Sequence, residues 1–145
     1  MSQICERIEC EVRGLLPVDD GMSQPCILIA EDEPRIVSFM ERGLIRQGYR
    51  IVTTDRGDRA IDLVLENGFD LILLDIGLPV KDGWAVLDEM RAAHKDIPVI
   101  VITAHEGASD RLEQYADTVL GYIMKPFRFR TLVDMIRSQL DSRSS

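Results

Sequence analysis

Leu71-Ile72-Leu73-Leu74-Asp75, continued by Ile76-Gly77-Leu78-Pro79, decides the fold. Four large apolar residues in a row leave no polar side to face water. The run therefore reads as a strand covered on both faces, as in a parallel sheet. Asp75 closes the run, Pro79 stops regular structure, and Asp82-Gly83 signals a turn before the next helix. In open α/β sheets, the carboxyl end of a central strand is where ligands bind.

Working outward, the same punctuation recurs. Cys26–Ala30 (CILIA) is an apolar run fit for a buried strand. After Glu31-Asp32-Glu33, Pro34 sits in the first turn of a helix, where its missing N–H costs little. Ile36, Val37, Met40, Leu44 and Ile45 form that helix's apolar face, and Gly48 stops it. Tyr49–Thr54 is a strand by β-branched content. Asp58–Glu66 is a helix with Ala60, Ile61, Val64 and Leu65 inward. The central strand spans Phe69–Asp75, and the helix Trp84–His94 buries Val86, Leu87 and Met90. Ile97–Ile102 is a fourth strand whose proline lies near its start, where it is tolerated. Glu106–Ala116 is a weak helix with only Ala108, Leu112 and Tyr115 to bury. Val119–Met124 is a fifth strand, broken by Lys125-Pro126, and Arg128–Leu140 is a last helix.

Five strands alternating with five helices predict an α/β, doubly wound, five-stranded parallel sheet with helices on both faces. Of the two common strand orders, 2-1-3-4-5 suits five strands better. Residues 26–141 form this domain, 142–145 a tail, and residues 1–25 an extension. In the extension Ile4, Ile8, Val12 and Leu15 are spaced like one helix face, and 17–25 reads as a linker. Met22-Ser23-Gln24 repeats Met1-Ser2-Gln3, which makes Met22 an alternative start.

The formal charge of -8 argues against direct binding of a nucleic-acid backbone. Five acids and two bases give residues 1–25 a charge of -3, leaving -5 for the domain. Cys5, Cys10 and Cys26 match no zinc spacing, and a reducing, cytoplasmic setting is the expectation. No apolar run approaches the roughly 20 residues of a membrane span.

The strand ends carry the chemistry. In the order 2-1-3-4-5, Glu31-Asp32, Asp75, Thr103 and Lys125 gather at one sheet edge. Each has a plainer reading alone, as a cap, a turn former or a solvated lysine; their coincidence at one edge does not. Carboxylates about 4 Å apart repel by roughly 4 kcal/mol per pair at an effective dielectric near 20, so something cationic must offset them. Lys125 is one candidate, and a hard divalent cation held by oxygen ligands is the other. A cation there also lets a carboxylate attack a phosphoryl group, where catalysis is mainly positioning and charge neutralisation.

These residues resemble the receiver domain of bacterial two-component response regulators. The marks are IAEDEP, LILLDIGLPVKDG, VITA and YIMKPF, and the likeness covers Cys26 to about Asp141. It implies a flavodoxin-like fold and a phosphoacceptor at Asp75. It implies Mg2+ (or Mn2+) held by Glu31, Asp32, Asp75 and the Gly77 backbone carbonyl. Thr103 and Lys125 would bind the phosphoryl group, and Tyr122 falls at the family's switch aromatic. The face of helix 4, strand 5 and helix 5 would change on phosphorylation. Gly77 and His105 occupy positions that tune phosphoryl lifetime in this family. The implied partners are a sensor histidine kinase or histidine phosphotransfer protein and a downstream output domain or protein, with homodimerisation on phosphorylation as a further expectation. The domain would be a phosphoacceptor switch with weak self-phosphorylation and autodephosphorylation chemistry, not a turnover enzyme.

The first acid is Glu31 where the family more often has Asp, and Thr118 and Leu120 replace small residues usual before strand five. Three other readings compete. A haloacid dehalogenase-type phosphatase needs a second Asp where this chain has Gly77. A flavodoxin-like electron carrier needs a hydroxyl- and glycine-rich loop where Glu31-Asp32-Glu33 would repel a flavin phosphate. A degenerate receiver used only for protein interaction would have no need of the charged groups.

Overall fold

The computed structural model describes residues 24–104 and 107–144, with side chains to residue 141. Its five strands are β1 (Cys26–Ala30), β2 (Arg50–Thr54), β3 (Leu71–Asp75), β4 (Val99–Thr103) and β5 (Val119–Met124). All pair in parallel in the order β2-β1-β3-β4-β5, as the alternation predicts. The helices are α1 (Pro34–Arg46), α2 (Gly57–Glu66), α3 (Gly83–Ala92), α4 (Ala108–Leu112) and α5 (Phe129–Ser144). No helix among the described residues is long and apolar enough to cross a membrane.

Side-chain alternation along the strands divides two cores. Leu28, Ala30, Ile72, Leu74, Val99 and Val101 face α2, α3 and α4, against Ala60, Val64, Leu87 and Met90. Ile27, Ile29, Leu71, Leu73, Ile100 and Ile102 face Met40 and Leu44 of α1 and Leu132, Val133 and Ile136 of α5. Both faces of the middle strands are thus dry, which is why they read as unbroken apolar runs.

Several element ends differ from expectation. β4 begins at Val99 because Pro98 has no N–H to give, although its carbonyl still accepts from Ile72 N at 3.0 Å. The weak helix is shorter than its pattern: α4 ends at Leu112 and Glu113–Tyr115 continues as a 3-10 turn. α5 runs to Ser144, beyond the expected end at Leu140. Ile45 and Leu65, expected inward, are 48% and 39% exposed. Each is one residue past a buried partner, Leu44 or Val64, and a 100° step carries it to the rim of the apolar stripe.

The thin apolar face of α4 has help. Tyr115 stacks on Trp84 of α3 with centroids 5.6 Å apart, and its hydroxyl donates to Asp88 at 2.7 Å. Arg111 lies 4.3 Å over the Trp84 ring and Arg91 4.6 Å over the Tyr115 ring. Polar and cation–π contacts here replace part of the burial that a longer helix would supply.

Candidate functional site

The carboxyl ends of β1, β3, β4 and β5 bring five side chains into one crevice. β1 pairs with β3 at Ala30↔Leu74, so Glu31 and Asp75 leave adjacent strands side by side. β4 contributes Thr103 and β5 ends next to Lys125, whose N–H donates to the Thr103 carbonyl at 2.8 Å.

Lys125 holds the centre. Its Nζ lies 3.0 Å from Glu31 Oε1, 3.2 Å from Glu31 Oε2 and 3.5 Å from Asp75 Oδ2. Glu31 and Thr103 are fully buried, Asp75 nearly so, and Asp32 is exposed. The Glu33 N–H donates to Glu31 Oε2 at 3.1 Å, and the Gly77 N–H donates to Asp75 Oδ1 at 3.0 Å. Glu31, Asp32 and Asp75 each offer an oxygen, all within 4.8 Å of one another.

Burial, with the Asp75 charge adding to it, pushes the Glu31 carboxyl up to about 7 against the opposing Lys125 hydrogen bond. For Lys125, burial works against the ammonium, but the Glu31 hydrogen bond and the Asp75 charge outweigh it and raise its pKa. Lys125 is shared between Glu31 and Asp75 with Asp32 close by, so the cluster is short of positive charge. Among the described residues, no donor meets Glu31 Oε1 in line, although Lys125 Nζ is close. A buried oxygen without a hydrogen-bond donor, beside two further carboxylates, is a donor set that fits a hard divalent cation.

The sign of the pH effect follows. A folded pKa of Glu31 raised from 4.5 to about 7 gives a stabilising contribution that is complete below pH 4.5 and lost as pH rises through 7. A divalent cation held by Glu31 would require the ionised carboxylate, so its affinity would move the other way. We expect the affinity measured by calorimetry to rise about tenfold from pH 6 to pH 8, since one group titrating near 7 governs it. A flat profile would mean that Glu31 is ionised well below pH 6 or is not a ligand.

The β3–α3 loop is fixed by contacts that the sequence reading did not assign. Asp82 Oδ1 accepts from Ala85 N at 3.0 Å and caps α3, and Gly83 N donates to Ile76 O at 2.8 Å. A Cβ on Gly83 would sit 2.7 Å from Ile76 Cα and 2.8 Å from Asp75 O. The Asp-Gly pair was the available signal, read only as a turn. Gly57 N donates to Pro79 O at 3.1 Å, and a Cβ there would meet Lys81 O at 1.5 Å. Between them Val80 is held at φ 70°, an unusual conformation for a β-branched residue.

Of the remaining expected residues, Gly77 lies exposed on this loop, and Tyr122 is 44% exposed on the edge strand β5. His105 lies outside the described residues.

Comparison with known proteins bears on the family and the fold. Residues 27–137 match the family described as response regulator receiver domain. The transcriptional regulatory protein PrrA of Mycobacterium tuberculosis is 34% identical over 128 residues, covering 88% of this chain and 55% of PrrA. The chain thus spans about half the length of the curated relatives it matches. The Thermotoga maritima response regulator TrrA, solved in complex with Mg2+ and BeF, superposes with a TM-score of 0.73 at 31% identity, over 81% of this chain and 100% of that one. The receiver domain of the sensor histidine kinase PA1611 from Pseudomonas aeruginosa, with magnesium in its active-site cleft, gives 0.74 at 29% identity, over 82% and 99%. This chain belongs to the response regulator receiver domain family.

Proposed function

We propose that the domain is a phosphorylation-driven switch in cytoplasmic two-component signalling, with Asp75 as the phosphoacceptor. The observation that carries this reading is Lys125 Nζ, set between Glu31 and Asp75 beside an oxygen donor set within 4.8 Å. The donor would be a phosphohistidine on a sensor kinase or a phosphotransfer protein. An Asp75 carboxylate oxygen forms the new O–P bond, the N–P bond breaks, and the imidazole nitrogen leaves with the electron pair. Glu31, Asp32, Asp75 and the Gly77 carbonyl would hold Mg2+ (or Mn2+). When bound, that ion supplies positive charge against the phosphoryl oxygens. The Gly77 N–H orients one Asp75 oxygen, Lys125 screens the other, and the Thr103 hydroxyl hydrogen-bonds the transferred group.

Readout would pass to the face of α4, β5 and α5. Leu120 and Tyr122 are exposed there, and α4 is short and held largely by polar and aromatic contacts, as suits a movable element. Phosphorylation-dependent homodimerisation through this face, and a transcriptional output by likeness to PrrA, belong to the same proposal. Gly77 and His105 would set the lifetime of the phosphoryl group.

Intact mass after incubation with acetyl phosphate tests the reading. We expect a gain of one phosphoryl group that requires Mg2+. A folded protein that gains none, and whose melting temperature beryllofluoride with Mg2+ does not raise, would favour an interaction module over a switch.

A further inference from the structure

The domain carries a net negative charge, yet one stretch of its surface is lined by arginines without carboxylates. One outer face of α1 and the start of α5 form a continuous groove lined by Arg35, Phe39, Arg42, Gly43, Arg46 and Phe129. Among the described residues none of these three arginines forms an ion pair, and no carboxylate lines this stretch. Phe39 lies at the middle of the groove and is 50% exposed, although it touches Phe129 (centroids 5.5 Å) and Phe127 (6.5 Å). Gly43 keeps the groove shallow: a Cβ there would meet the Phe129 ring at 2.3 Å. An apolar floor between unpaired arginines fits an acidic, amphipathic segment.

The chain itself supplies one. Residues 1–23 carry Glu6, Glu9, Glu11, Asp19 and Asp20 against Arg7 and Arg13. Ile4, Ile8, Val12 and Leu15 share one helical face, and Glu11, seven residues after Ile4, falls on the same side. The exit point suits this occupant. Arg50 N donates to Pro25 O at 2.9 Å, and Tyr49 N donates to Leu44 O at 3.2 Å, so the chain enters β1 beside the C-terminal end of α1. The nine residues 17–25 reach about 30 Å when extended. The 13 residues of α1 span about 20 Å, and residues 4–15 as a helix about 18 Å. Asp19 and Asp20 would come first along this path, nearest Arg46 and Arg42.

We propose that residues 4–20 dock intramolecularly in the α1/α5 groove. Ile4, Ile8, Val12 and Leu15 cover Phe39 and Phe129, and the carboxylates pair with Arg35, Arg42 and Arg46. The N-terminal segment is then a built-in cover for this face. A partner needing α1 must displace it.

Cys10 provides the probe. On a helix it falls about half a turn from the apolar stripe, and Cys26 is buried and protected. A nitroxide on Cys10 of the isotope-labelled 145-residue C5S chain should broaden the amide signals of residues 35–46 and 129 several-fold more than those of α3, on the opposite sheet face. Arg42→Glu with Arg46→Glu, on the exposed surface, should abolish that selectivity, and added salt should weaken it. Uniform or absent broadening would overturn the proposal. Broadening that arises equally between labelled and unlabelled chains mixed in one sample would assign the groove to a second copy and overturn it as well.

Discussion

Asp75→Asn is expected to lose phosphorylation completely while making the metal-free domain more stable. The amide is no nucleophile toward phosphorus, so acetyl phosphate should add no mass. The stability gain comes from the same charge. Glu31, Asp32 and Asp75 offer oxygens within 4.8 Å of one another, and the one ammonium among them, Lys125, pairs with Glu31 and Asp75. The Glu31 pKa is raised mainly by burial, and removing one negative charge relieves the Asp75 repulsion that adds to it, while the Asn oxygen can still accept from Gly77 N. The ion pair given up is the longer of the two, at 3.5 Å. We expect a net gain of about 1 kcal/mol in urea unfolding without divalent cations, and a smaller stabilisation by Mg2+ than in the wild type. A less stable variant would mean that Asp75 holds Lys125 more than it repels Glu31.

Gly57→Ala should cause the largest loss of stability, about 3 kcal/mol, although residue 57 lies outside the charged cluster. The added methyl would fall 1.5 Å from Lys81 O and 2.5 Å from Lys81 C, so backbone must move. What moves is the β3–α3 loop, which is tied to Gly57 through Pro79 O and carries Gly77 and Val80. Mg2+ affinity should fall with the stability. Gly77→Ala is the contrasting substitution. Its Cβ would meet only Asp75 Oδ1, at an ordinary 3.8 Å, and its stability should stay within about 0.5 kcal/mol of wild type. Equal urea midpoints for Gly57→Ala and wild type would show that the loop is free to shift.

The fold was legible because dry strands leave a plain mark. CILIA and LILL are apolar throughout since helices cover both faces, and the acids that follow them share one edge by topology alone. The charged pairing of Lys125 with Glu31 and Asp75 could be anticipated for the same reason. That Glu31 is the fully buried partner, and Asp32 the exposed one, could not. Adjacent residues point to opposite sides, and which side is buried depends on neighbouring strands. Gly57 and Gly83 were opaque because close backbone approach leaves no mark beyond a glycine. The Trp84–Tyr115 stack with Arg91 and Arg111 joins residues far apart in sequence, so α4 looked merely weak where it is cross-braced.

Borohydride trapping tests the central claim most directly. An acyl phosphate is reduced to an alcohol, whereas a free carboxylate is not, so a phosphorylated Asp becomes homoserine. After treatment with acetyl phosphate and Mg2+, peptide mapping should find homoserine at position 75 and at no other acid, Glu31 and Asp32 included. Homoserine elsewhere, or a stable phosphoryl adduct that borohydride leaves untouched, would contradict the assignment of Asp75 as the phosphoacceptor.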